Sequence, residues 1–155
     1  MKFSTKEDIE APIDVVFDML CDFEGFERSA MRRGAEVQRV DDLQKLGTGM
    51  MWRAAFPMRG KQRQVGIEMI QFDRPNDMVL EFRSAGLSGN MTLELVALAR
   101  NRTRVLVSFG LAPQNMSARL MVQSLKLAKS SLTKRYKLRV AEYAKSMEDR
   151  YKAAR

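Results

Sequence analysis

The sequence contains no histidine and a single cysteine, Cys21, among its 155 residues. One cysteine cannot form an internal disulfide, a thiolate zinc cage or an iron–sulfur cluster. The absence of imidazole excludes Ser-His-Asp and Cys-His catalysis, histidine-zinc sites and the iron site built on two histidines. We therefore expect no metal site and no resident cofactor, and we predict that Cys21 is a small buried hydrophobic residue.

Long hydrophobic runs are also absent. The longest uninterrupted apolar run covers residues 95–99, whereas a membrane-spanning helix needs about 20 residues. Residues 1–12 alternate between polar and apolar and contain no hydrophobic core of the kind that a secretory signal requires. These patterns predict a cytoplasmic protein without a transmembrane segment. Because the chain has no internal repeat and no linker, they also predict one domain that covers residues 1–155.

Acidic residues are scarce in the last third of the chain. Residues 101–155 hold 13 lysines and arginines against 3 aspartates and glutamates, whereas residues 1–60 hold 9 against 11. Such a basic segment can attract phosphate or anionic lipid, but it is also typical of the solvated face of a helix. Its tyrosines share the helical spacing of its apolar residues, so they should face the protein interior. No exposed aromatics would then be available for base stacking. We expect no specific nucleic-acid binding and only weak peripheral contact with membranes.

The spacing of apolar residues indicates which elements come first. Residues 3–9 alternate loosely and predict a strand. Apolar residues at helical spacing within 13–20 predict a short helix, with Pro12 suited to its first turn. Asp22 is a candidate cap for a second short helix, which Gly34 would end.

A period of two dominates the middle of the chain and a helical period dominates its end. Alternating residues separated by turn sequences predict antiparallel strands up to Pro113. No proline or glycine follows Pro113, and an apolar stripe runs from Met121 to Tyr151, which predicts one long helix. At about 1.5 Å per residue this helix would be longer than the sheet, so we expect a bend or break near Ser130-Ser131, or a projecting end.

This order of elements resembles that of the SRPBCC superfamily, the START-related group that includes polyketide cyclase/dehydrase-like proteins, coenzyme Q-binding proteins and the birch-pollen-allergen type. Residues 8–17, DIEAPIDVVF, and residues 72–75, FDRP, are similar to the segments at the corresponding places in that group. The resemblance implies an α+β helix-grip fold, in which a curved antiparallel sheet wraps around a long C-terminal helix and two short helices follow the first strand. It further implies an apolar cavity between sheet and helix for a lipid, polyketide, sterol, quinone or similar ligand.

Residues that share one phase of the alternation or of the helical period are candidates for lining that cavity. The twelve methionines suit an adaptable apolar site, although they could equally fill an ordinary core. The predicted ligand-binding residues are Trp52, Phe56, Met69, Phe82, Leu93, Phe109, Met121, Leu125 and Leu132.

Three functions follow from these patterns. The first is binding of a small apolar ligand. The second is a cyclase- or dehydratase-like enzyme, with a Tyr, Glu or Arg side chain aiding proton transfer, although the resemblance transfers no catalytic residue. The third is an interaction protein that uses the basic helix on nucleic acid or anionic membrane. Glu68, Glu81 and Glu94 are the carboxylates within the strands, and the alternation predicts that all three face outward. The oligomeric state stays open.

Overall fold

The computed structural model describes residues 1–155 and contains seven strands and four helices. The strands are β1 Lys2–Ile9, β2 Glu36–Arg39, β3 Met51–Met58, β4 Lys61–Asp73, β5 Asp77–Ser84, β6 Leu87–Ala99 and β7 Arg102–Pro113. The helices are α1 Ile13–Leu20, α2 Phe23–Arg32, α3 Met116–Leu127 and α4 Lys129–Ala154. None of these helices is long and apolar enough to cross a membrane.

All seven strands form one antiparallel sheet in the order β1-β7-β6-β5-β4-β3-β2. The two short helices, α1 and α2, connect the first strand at one edge to β2 at the other edge. On the concave side, α4 lies along β1, while α3 packs against β7. The curved sheet therefore wraps around the C-terminal helical segment, and the predicted α+β helix-grip fold is confirmed.

Local side chains explain where the helices begin and end. The Asp22 carboxylate accepts a hydrogen bond from the Gly25 N–H at 3.1 Å and caps α2, as predicted. Gly34 follows α2 with a φ of +97°, a conformation that glycine adopts without strain. The predicted bend near Ser130 lies at Ala128, between α3 and α4. It separates a segment that contacts β7 from one that contacts β1.

The tightly packed core occupies only the end of the sheet that α1 and α2 cover, which we call the proximal half. Only 18 of the 155 residues are buried. The largest completely buried side chains all lie in or beside the proximal half: Ile9, Val16, Phe17, Met50, Met69, Met78 and Thr103. Cys21, predicted to be buried, packs against this core but is only half-buried. The other end of the concave face, the distal half, lacks such packing.

Asp41 fixes the segment that joins β2 to β3. Its carboxylate accepts hydrogen bonds from Arg39 Nε at 2.8 Å and Arg39 Nη2 at 3.0 Å. It also accepts from the backbone N–H groups of Leu43 at 3.0 Å and Met51 at 2.8 Å. The Arg39 guanidinium and these N–H groups hold the pKa of Asp41 well below its usual range.

We expect Asp41→Ala to lower the free energy of unfolding by about 2 kcal/mol at pH 7, because a side chain only 6% exposed loses four hydrogen bonds. The folded pKa of Asp41 lies below the unfolded value of about 3.9. Its contribution is therefore complete above that value and is lost as the pH falls through the folded pKa. Urea denaturation of both proteins at pH 7 and about pH 3 should show the difference shrinking.

The matched control is Asp42→Ala, which removes an exposed carboxylate. This change should alter the free energy of unfolding by no more than about 0.5 kcal/mol at either pH. Equal losses for the two variants would contradict the role of Asp41.

Candidate functional site

The distal half of the concave face is apolar but only half-buried. The strand register places Phe82, Met91 and Phe109 on the same side of the sheet as the buried Val105 and Val107. The Phe82 and Phe109 rings are 5.6 Å apart at 58°, a favourable tilted contact. All three side chains are only half-buried. This part of the sheet presents an aromatic and thioether surface that the core does not fill.

Helix α3 covers the distal half from the opposite side. Its Ala118 and Val122 are buried, and its Met121 and Leu125 are half-buried. Neither Ala118 nor Val122 belongs to the main buried cluster, which is centred on the proximal half. An apolar helix face and an apolar sheet face thus oppose each other as a region separate from the core. We call this region the distal cleft.

The nine predicted ligand-binding residues divide between the two halves. Trp52 and Met69 belong to the buried core of the proximal half, and Leu93 packs against that core. The other six are half-buried and lie outside the core cluster: Phe56, Phe82 and Phe109 on the strands, Met121 and Leu125 on α3, and Leu132 on α4. Their common phase placed them on the concave side, and a role in ligand binding remains a prediction.

Trp52 lies where the sheet meets α2. Its ring is 5.4 Å from that of Phe23, and the Arg39 guanidinium lies 5.9 Å from the ring centre. The indole is only 6% exposed. Its fluorescence should therefore report on the packing of the proximal half more directly than on the distal cleft.

Arg63 is the functional candidate that the sequence pattern did not single out. In the pairing of β3 with β4, Arg63 lies opposite Phe56, and it shares the inward phase of Val65 and Ile67. The Nε atom of Arg63 is buried and has no hydrogen-bond partner among the protein's own atoms. Buried polar groups are almost always paired, so an orphaned guanidinium N–H at the end of an apolar cleft indicates a place for an acceptor.

A cavity of about 260 Å³ lies beside Arg63, at the mouth of the distal cleft. Its walls come from the β3–β4 turn, the β5–β6 turn and α3: Arg59, Arg63, Ala85, Ser117, Ala118, Leu120 and Met121. Arg59 Nη2 donates a hydrogen bond to Ser124 Oγ at 2.8 Å and so ties the β3–β4 turn to the helix. Two arginines and no carboxylate line this mouth, which makes it attractive to an anion.

Two larger depressions, of about 400 and 490 Å³, are open and mostly polar. Outward-facing side chains such as Glu81, Arg83 and Gln64 form much of their walls. They occur where Gly110 and Gly66 leave the outward side of the strands without a side chain. We assign them to the solvated convex surface.

The other groups capable of acid–base chemistry are engaged or turned away from the distal cleft. Glu68, Glu81 and Glu94 face outward, as predicted, and Glu81 pairs with Arg83 at 3.5 Å. The Tyr136 hydroxyl donates a hydrogen bond to the Val107 carbonyl at 2.8 Å, and burial raises the pKa of this tyrosine. Arg63 is the only one of these side chains that combines an inward position with an unpaired polar atom.

No protein-family model matches the sequence, and no match is found among curated proteins. Solved structures do match over nearly the whole chain. The Zhui aromatase/cyclase from Streptomyces sp. R1128 has a TM-score of 0.67 at 14% identity, covering 99% of this chain and 97% of that chain. TTHA0849 from Thermus thermophilus has a TM-score of 0.64 at 18% identity, covering 99% of both chains.

A START superfamily protein from Mycobacterium smegmatis matches with a TM-score of 0.55 at 11% identity, covering 86% of this chain and 95% of that chain. These similarities show that the chain has a helix-grip fold. At such low identities they establish the fold alone.

Proposed function

We propose that the protein binds a small amphipathic ligand, with an apolar body in the distal cleft and a polar or anionic end at Arg63. The observation that carries this proposal is the buried, unpaired Nε of Arg63 at the end of an otherwise apolar surface. Lipids, polyketides and quinones all combine an apolar body with oxygen acceptors, and they remain the ligand classes to test.

The apolar surface can supply most of the binding free energy. Phe82, Phe109 and Met121 are half-buried, and a ligand would remove their remaining exposed surface from water. Each square ångström of apolar surface removed from water contributes about 25 cal/mol. Burial of about 400 Å² would thus contribute about 10 kcal/mol before entropic costs, which makes micromolar affinity reachable.

Arg63 can supply the selectivity. A guanidinium presents its Nε and Nη donors in a fixed fork that matches the two oxygens of a carboxylate. A buried donor without a partner destabilises the unliganded protein by about 1–3 kcal/mol. A ligand oxygen that accepts from Nε would remove that penalty, so a carboxylate should bind better than an alcohol on the same chain.

We expect dodecanoate to bind with micromolar affinity and dodecanol to bind at least about tenfold more weakly, because only the carboxylate can pair with Arg63 through two oxygens. Isothermal titration calorimetry would measure both affinities, and thermal denaturation would show the corresponding rise in melting temperature. The two compounds have the same chain length and serve as controls for each other.

Native mass spectrometry of the purified protein would add an unbiased search for a co-purified apolar molecule. If dodecanoate, dodecanol and a panel of quinones and aromatic polyketides all leave the melting temperature unchanged, the distal cleft is not a ligand site.

A cyclase- or dehydratase-like activity is the second candidate, and Arg63 favours it too. An inward guanidinium with a free N–H can stabilise the negative oxygen that develops when a carbonyl compound enolises. Incubation of a linear poly-β-keto chain with the protein distinguishes the two functions. Release of a cyclised or dehydrated product faster than in the absence of the protein would support the enzyme, whereas a bound chain that reacts no faster would support binding alone.

A further inference from the structure

The outer face of α3 carries three large apolar side chains beside Gln123, although no other element covers it. Met116, Leu120 and Leu127 are 66%, 60% and 91% exposed, and their spacing places them on one side of the helix. The opposite side carries the buried Ala118 and Val122. A helix that only separates a protein from water is polar on its outer side, so a second apolar face requires an explanation.

Unpaired cations lie along one flank of this apolar face and follow it in the sequence. Arg119 and Lys126 lie on α3, and Lys129, Lys134 and Arg135 follow at the start of α4. None of the five takes part in an ion pair. No aspartate or glutamate occurs anywhere between Glu94 and Glu142. The surface is therefore strongly positive as well as apolar.

We propose that the outer face of α3 docks on an anionic membrane. Aliphatic side chains that enter the acyl boundary and cations that contact lipid headgroups are together the pattern of interfacial helices. Single-stranded nucleic acid would call for exposed aromatics, whereas the three exposed side chains of α3 are aliphatic or thioether. The exposed apolar side chains of α3 thus add a hydrophobic contribution to membrane binding that the charge of this segment alone does not provide.

Docking would also place the mouth of the distal cleft against the bilayer. Leu120 belongs both to the exposed stripe and to the wall of the 260 Å³ cavity beside Arg63. An amphipathic ligand could then pass between membrane and cleft without crossing water. This consequence rests on the proposed ligand binding, but the docking itself does not.

Vesicle flotation tests the docking. Vesicles of phosphatidylcholine with about 30% phosphatidylglycerol should bind the protein at least about tenfold more strongly than phosphatidylcholine alone at about 150 mM salt. Leu120→Glu with Leu127→Glu should reduce binding to the anionic vesicles by about tenfold or more. Arg119→Gln with Lys126→Gln should reduce it by about fivefold for each cation removed.

The matched control is Val96→Glu with Leu98→Glu. These residues are 48% and 42% exposed on β6, away from α3, and the change in net charge is the same. The control should lose only the binding that the change in net charge removes. It should therefore bind anionic vesicles more strongly than the Leu120→Glu, Leu127→Glu variant. Thermal denaturation would verify that both variants are folded, as expected for exposed positions.

Three results would overturn the proposal. The first is no binding of the unaltered protein to anionic vesicles. The second is an equal loss of binding in the Leu120→Glu, Leu127→Glu variant and in the control, which would show that net charge alone decides. The third is binding to RNA or DNA that is tighter than binding to vesicles at the same salt concentration and that persists in the Leu120→Glu, Leu127→Glu variant.

Discussion

Phe17→Ala should lower the free energy of unfolding by about 4 kcal/mol, whereas Phe109→Ala should lower it by about 1.5 kcal/mol. The Phe17 ring is completely buried, lies 5.3 Å from the Phe72 ring in an edge-on contact, and has the Arg74 guanidinium 4.9 Å from its centre. Its removal leaves a cavity within the core. Phe109 is only half-buried at the distal cleft, so its removal takes less apolar surface out of a packed environment.

Urea denaturation at 25 °C measures both variants with the same chemical change, which makes each the control for the other. The difference between them tests whether the concave face is divided into a packed proximal half and an open distal cleft. Equal losses of about 4 kcal/mol would mean that Phe109 is packed as tightly as Phe17. The distal cleft would then have no room for a ligand.

The fold could be predicted because local patterns and topology agree along this chain. Alternation along β5, β6 and β7 gives the correct inward side of each strand. The caps also follow from sequence, since Asp22 and Gly34 stand where α2 begins and ends. The bend was displaced by two residues, from Ser130 to Ala128, because the position of a break depends on which strands the two helices contact.

The depth of a side chain could not be predicted from its phase. Trp52 and Phe56 are on the same face of β3, yet Trp52 is in the core and Phe56 is at the distal end. The difference arises because α1 and α2 cover only one end of the sheet, and no local pattern encodes that. Alternation correctly separates inside from outside, but it does not separate core from cleft.

Arg63 and the outer face of α3 escaped the sequence patterns for different reasons. Arg63 shares the phase of Val65 and Ile67, and this alternation predicts that it faces inward. A charged residue near a turn is usually solvated, however, so the pattern alone does not single it out. The stripe from Met121 to Tyr151 predicts which side of the C-terminal segment faces the sheet, but spacing alone does not predict that Met116 and Leu120 on the other side are left uncovered.

Arg63→Met should weaken dodecanoate binding by about 10- to 100-fold and leave dodecanol binding within about threefold. A methionine retains an apolar side chain of similar reach but cannot donate to a carboxylate. The same change removes a buried N–H that has no partner, so the unliganded variant should be more stable than the unaltered protein by about 1 kcal/mol. Calorimetric titration and urea denaturation measure the two effects separately.

Arg53→Met is the matched control, because Arg53 is exposed on the outer face of the adjacent strand β3. It should change neither the preference for dodecanoate nor the stability. Arg63→Met is expected to weaken dodecanoate binding and to raise the stability of the unliganded protein. This combination distinguishes a ligand-binding arginine from a structural one. An arginine that merely supported the fold would lower stability when replaced and would weaken both ligands alike. If Arg63→Met behaves in that way, the anionic end of the proposed ligand has no partner at Arg63, and the distal cleft would be left with shape and apolarity as its only means of selection.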